Sequence, residues 1–94
     1  MKIRWAERSL KSLSDLHAYI FADNPAAADR VVDKIESAIE TLRDAPRAGR
    51  AGRVPDTREL VIPATPYLVA YTIQSDAIYI LAILHGKRSW PQTF

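Results

Sequence analysis

The spacing of apolar positions changes along the chain, and each change predicts an element. Lys2 to Trp5 alternates, with Ile3 opposed to Arg4, and predicts a short first strand. From Ala6 the period lengthens. Leu10, Leu13, Leu16 and Ile20, with Tyr19 alongside, recur at helical spacing and predict an amphipathic helix. Asp23-Asn24-Pro25 breaks the pattern and starts a second helix. Asn24 can cap it through its side-chain oxygen, and Pro25 suits a first helical position because its missing N–H has no partner there. Ala28, Val31, Val32, Ile35, Ala38, Ile39 and Leu42 form a longer stripe. Arg43 falls in its last turn, and Pro46 ends it.

Residues 46–56 hold glycines, prolines and arginines without periodicity and read as a loop. Thr57 to Ile62 reads as a strand, and 63–66 as a turn. Two runs rich in β-branched and aromatic residues follow, Tyr67–Gln74 and Ala77–Leu84, parted by Ser75-Asp76: a hairpin. In the second run both alternating sets are apolar, Ile78, Ile80, Ala82 and Leu84 against Ala77, Tyr79, Leu81 and Ile83. Such a strand is expected to be central and covered on both sides. The fold class is therefore α+β. A short N-terminal strand and an antiparallel two-helix hairpin precede a three-stranded antiparallel meander (β-α-α-β-β-β), forming one domain over residues 1–94.

Composition narrows the chemistry. At 94 residues there is room for one core. Cysteine is absent, which removes disulfides, thiolate nucleophiles and Cys-based zinc sites. No run suggests a signal peptide or a membrane span, so a cytoplasmic protein without membrane contact is expected. No metal or cofactor motif appears. The net charge of +2 hides an uneven distribution: residues 12–46 are acidic, and positive charge gathers in residues 1–11, 47–58 and 85–94. If the fold brings those segments together, the domain has a positive face. Arg47, Arg50 and Arg53, beside Gly49 and Gly52, suit phosphate contact, because the arginine fork matches phosphate oxygens. The cluster His85, Lys87, Arg88 and Trp90, where the last strand ends, is the other candidate contact site.

In order and spacing these motifs resemble the RelE/ParE toxins of bacterial type II toxin–antitoxin modules. The resemblance runs through Trp5-Ala6, Tyr19-Ile20, Asn24-Pro25-Ala26-Ala27, Pro46 with Gly49-Arg50 and Gly52, and Thr57-Arg58-Glu59-Leu60. It continues through Pro66-Tyr67, Tyr71, Ile80 to Ile83, His85-Gly86-Lys87-Arg88 and Trp90-Pro91. It implies a growth-inhibiting toxin neutralised by a cognate antitoxin, and contact with operator DNA indirectly, through that antitoxin. An apolar second sheet face would be a docking surface for an antitoxin segment that orders as it binds. Tyr67, Tyr71, Tyr79, Leu81, Ile83 and Trp90 are the expected contacts.

The family resemblance implies two possible targets. RelE-like members cut messenger RNA on the ribosome; ParE-like members act on DNA gyrase without hydrolysis. Metal-free RNA cleavage needs a base, an acid and cations for the phosphorane, and only His85, Glu59, Arg58 and Arg88 are available. RelE-like nucleases resemble one another in carrying several lysines and arginines on the middle strands, whereas here positions 60–73 carry no charge. Phe94 stands where their tail would offer an aromatic hydroxyl, and a phenyl ring has no proton to donate. The sparse polar set favours the ParE-like reading, in which Arg47, Arg50, Arg53, Lys87, Arg88 and Trp90 make target contacts. The residues also admit structural roles: Arg88 paired with Glu59 or Asp76, and His85 holding the strand end through a backbone hydrogen bond. An inactive relative that only binds antitoxin is the third reading.

Overall fold

The computed structural model describes residues 1–88 and 90–94. Strand β1 (Lys2–Trp5) leads into helix α1 (Glu7–Phe21) and helix α2 (Pro25–Thr41). Strands β2 (Arg50–Ala51), β3 (Arg58–Val61), β4 (Tyr67–Gln74) and β5 (Ala77–His85) follow. The sheet order is β1-β5-β4-β3-β2; β1 runs parallel to β5, and the remaining pairs are antiparallel. The expected α+β order holds, with one addition. The segment read as a loop contributes an edge strand of two residues, pairing Arg50 with Glu59 and Ala51 with Arg58. So short a strand carries no apolar alternation and leaves no periodic trace.

Both helix starts follow local chemistry. The Asn24 side chain accepts a hydrogen bond from Ala27 N (3.1 Å), with Pro25 in the first turn. Ala6 offers no side-chain cap; instead its backbone N–H donates to Ile80 O (2.9 Å), and the buried Ser9 hydroxyl donates back to Ala6 O (2.6 Å). Helix α2 ends at Thr41, so Arg43 lies just past it, bonded to Glu40. The α2 stripe is buried as its periodicity predicts, with Ile35, Ile39 and Leu42 fully enclosed. The α1 stripe is narrower than its spacing suggests: Leu10 is 54% and Tyr19 68% exposed, and Leu16 carries the burial.

The main departure lies in β5. Ala70 pairs with Ala82 and Tyr71 with Ile80, which leaves Leu81 as an extra residue on β5, a β-bulge. The bulge shifts the alternation by one. Ile78, Ile80 and Ile83 therefore all face the helices, in one core with Val69, Tyr71, Leu16, Ile35 and Ile39. The opposite face carries Glu59 on β3, Leu68 and Ala70 on β4, and Ala82 on β5, all buried. That face is not bare. The loop at Val54–Thr57 and the tail at Thr93–Phe94 line one open cleft with Thr72, Gln74 and Leu81.

Candidate functional site

His85 is the last residue of β5, opposite Tyr67 of β4. Its Nδ1 accepts a hydrogen bond from the Lys87 backbone N–H (3.2 Å), so in the neutral ring the proton sits on Nε2. This is the backbone role anticipated for it. The Tyr67 and His85 rings meet edge to face at 5.8 Å. Beside them a cleft of about 420 Å³ opens between the end of the sheet and α1, lined by Ser12, Asp15, Leu16, Tyr19, Tyr67, Ile83, Leu84, His85 and Arg88. The Arg88 guanidinium stands 5.5 Å from the centre of the exposed Tyr19 ring. The spacing of Tyr19 and Asp15 marks only a helix and gives no sign of a site. That they line one cleft with Arg88 depends on how α1 crosses β5.

Glu59 lies on the other face of the sheet and is 3% exposed. Its Oε1 accepts from Arg50 Nη2 (3.1 Å), and its Oε2 accepts from Arg53 N (2.7 Å) and Arg53 Nε (3.3 Å). Burial pushes its pKa up, but the hydrogen bonds from the Arg53 backbone and from the Arg50 and Arg53 side chains outweigh that and hold the carboxyl below its usual range. Arg88 is therefore not the partner of Glu59; the loop arginines are. Arg53 also lies flat on Trp90, with its guanidinium 3.6 Å from the ring centre, while Trp90 Nε1 donates to His85 O (3.2 Å).

Arg58 points from β3 to the helix-covered side, opposite Tyr71. Its Nη1 donates to Gly49 O (2.8 Å) and Arg47 O (3.4 Å), so it ties down the arginine-rich loop. Arg47 and Arg58 share a second cleft with Ala51, Gly52, Asp56, Thr57, Thr72 and Ile73.

The four residues considered for hydrolysis thus do not form one site. His85 and Arg88 share the α1 cleft. Glu59 is opposite Ala70, three residues along β4 from Tyr67 and two strands from β5, so its backbone is roughly 10 Å away in each direction at ordinary strand spacings. It also projects from the opposite face. Arg58 faces the loop. Among the described residues, no three His, Asp or Glu side chains stand close enough to hold a metal ion.

The six expected antitoxin contacts also divide. Tyr71 is fully buried, and Ile83 is turned into the core by the bulge, so neither is available to a partner. Tyr67 packs beside His85 in the cleft. Tyr79, Leu81 and Trp90 keep part of their surface open. The loop and tail cations Arg47, Arg50, Arg53, Lys87 and Arg88 are all exposed, and Arg50 and Arg53 are in addition tied to Glu59. Large apolar side chains are exposed elsewhere, at Leu10, Tyr19 and Phe21 on α1 and at Val61 on β3. No described helix is long and apolar enough to cross a membrane.

A helical hairpin packed on a five-stranded mixed sheet, with a basic strand end beside the first helix, defines a RelE/ParE-like domain. Residues 3–90 match the family described as the ParE toxin of type II toxin–antitoxin systems, parDE. The chain belongs to that family and is a type II toxin, with an antitoxin protein as its partner. It is 44% identical over 91 residues to Y4kP of Sinorhizobium fredii (strain NBRC 101917 / NGR234), whose own name marks it as a candidate toxin; the match spans 97% of this chain and 94% of Y4kP. It is 30% identical over 87 residues to toxin RelE2 of Caulobacter vibrioides (strain ATCC 19089 / CIP 103742 / CB 15), spanning 93% and 97%. Among solved structures, a chain of the chromosomal ParDE system from P. aeruginosa superposes with a TM-score of 0.83 at 23% identity, over 88% of this chain and 92% of that one. A chain of the intact E. coli RelBE complex gives 0.67 at 15% identity, over 93% and 98%.

Proposed function

We propose that this toxin arrests growth by contact with DNA gyrase, in the manner of ParE-like members, and not by cutting RNA. The observation that carries the reading is the state of Glu59. Its two oxygens are taken up by Arg50 and Arg53, its proton affinity is lowered, and it projects from the face opposite His85. A general base must reach the proton it removes, and it is a weaker base the further its pKa lies below the working pH. Glu59 is on the wrong face to act with His85, and its pKa is lowered. The exposed cations Arg47, Lys87 and Arg88, which make no ion pair with Glu59, are the docking contacts. The antitoxin contacts we assign are Tyr79, Leu81 and Trp90, with Val61 at the sheet margin. Operator DNA is reached only through the antitoxin, in the cytoplasm.

The test is direct. Purified toxin added to gyrase and relaxed plasmid is expected to suppress supercoiling or accumulate cleaved DNA, and antitoxin should reverse it. Full gyrase activity at saturating toxin rejects the reading. One observation favours the RelE-like alternative, namely that His85 and Arg88 share a cleft. Mapping transcript ends after induction separates the two, since codon-positioned breaks abolished by His85→Ala would establish hydrolysis.

A further inference from the structure

We propose that residues 90–94 form a strap over the open face of the sheet, latched by Trp90 on Arg53, and that it releases locally while the domain stays folded. The inference is independent of the target. Sequence places no helix or strand after His85, and the structure shows none in the described tail. Backbone hydrogen bonds found after β5 run from Gly86 N to Pro66 O and from Arg88 N to His85 O, both ahead of Trp90. Among the described residues, what holds the rest is side-chain contact. Trp90 lies on the Arg53 guanidinium at 3.6 Å and donates through Nε1 to His85 O at 3.2 Å; Phe94 lies 5.7 Å from the Arg8 guanidinium.

Arg53 is a prepared platform. Glu59, buried in the sheet, accepts from both its backbone N–H and its Nε, so the guanidinium plane is oriented from beneath. A planar cation so fixed loses little freedom when an aromatic ring stacks on it. Beneath the loop and strap, Ala70 and Ala82 are buried although they face away from the helices. Contacts this few, at a surface, are weak beside the core joining α2 to the sheet, and local opening follows the weakest attachments. The latch also joins the two basic segments, so drawing Arg53 toward an anion would free Trp90.

The experiment uses the full chain labelled with fluorinated tryptophan at both of its tryptophans, Trp5 and Trp90, and followed by fluorine NMR. Trp90→Phe assigns the signals. Arg53→Ala is expected to move the Trp90 signal to the position of solvent-exposed tryptophan and leave Trp5 in place, and Glu59→Gln to move it part of the way. A Trp90 signal unmoved by Arg53→Ala, or Trp5 and Trp90 moving together in the folded variant, overturns the proposal. Should Arg53→Ala not fold, urea titration of the unmodified chain gives the same decision. Trp90 should reach its exposed position before Trp5 does, and coincident transitions overturn the strap.

Discussion

The Tyr71 hydroxyl accepts a hydrogen bond from Gly49 N and donates one to Pro46 O, each at 2.8 Å. A fully buried core residue of β4 thereby ties down the segment that leads from α2 into the arginine-rich loop. Burial raises the Tyr71 pKa against the lowering effects of the Gly49 hydrogen bond and the nearby Arg58, which keeps the phenol protonated and able to donate. Gly49 is required by this arrangement: a Cβ there would come 2.7 Å from the Tyr71 ring and hydroxyl.

Tyr71→Phe should keep the ring and lose both bonds, stranding a buried N–H and a carbonyl. The expected cost is about 2 kcal/mol in urea unfolding. Amide exchange at Gly49 should rise more than at Ile35, since the loop is released first.

Glu59 should make stability depend on acid. Its folded pKa is lowered from an unfolded value of about 4.3. The unfolded chain therefore takes up the proton first. The contribution of Glu59 is fully present above the unfolded pKa and is lost as pH falls through the folded one. The charges facing the carboxylate are Arg50 and Arg53. Glu59→Gln should be less stable at neutral pH, by about 1–3 kcal/mol, with a shallower decline below about pH 4.5 in pH-resolved denaturation.

The bulge predicts unequal costs within one strand. Ile83→Ala empties a core position and should lose about 2–4 kcal/mol. Leu81→Ala, at a half-buried side chain outside the helix-facing core, should lose less than half as much. Equal losses in chemical denaturation would contradict the shifted alternation.

Capping gives a smaller effect. Asn24→Ala removes the acceptor for Ala27 N and should cost about 1 kcal/mol, while Asn24→Gly should cost only a few tenths.

Arg88 and His85 separate contact from hydrolysis. Arg88→Ala should raise the toxin level needed for arrest about tenfold, the effect of losing one well-placed arginine contact of about 1.4 kcal/mol. His85→Ala should change it far less, with transcripts intact in both cases. Titrating the inducer against growth measures the first quantity.

Much of this protein was legible as pattern. The helix spans, the Asn24 cap, the β3-β4-β5 meander and the basic strand end all follow from local periodicity, local capping chemistry and chain order. Leu10 and Tyr19 are more exposed than their spacing implies, because helical spacing identifies a stripe but not its width, which depends on how closely α1 approaches the sheet. The double-apolar pattern of Ala77–Leu84 was sound evidence of burial on both faces. Its division into two faces was not, because strict alternation assumes an unbroken pleat and Leu81 breaks it.

Sequence by itself determined the element order, the family, and the residues able to bind phosphate or aromatic partners, since these rest on identity and near-neighbour spacing. Only the tertiary structure decided who meets whom. It gave Glu59 to Arg50 and Arg53, turned Ile83 inward, and laid Trp90 on Arg53, on the sheet face away from the helices. Those outcomes depend on register, on one bulge and on the path of the tail, which are set by packing between segments distant in the chain.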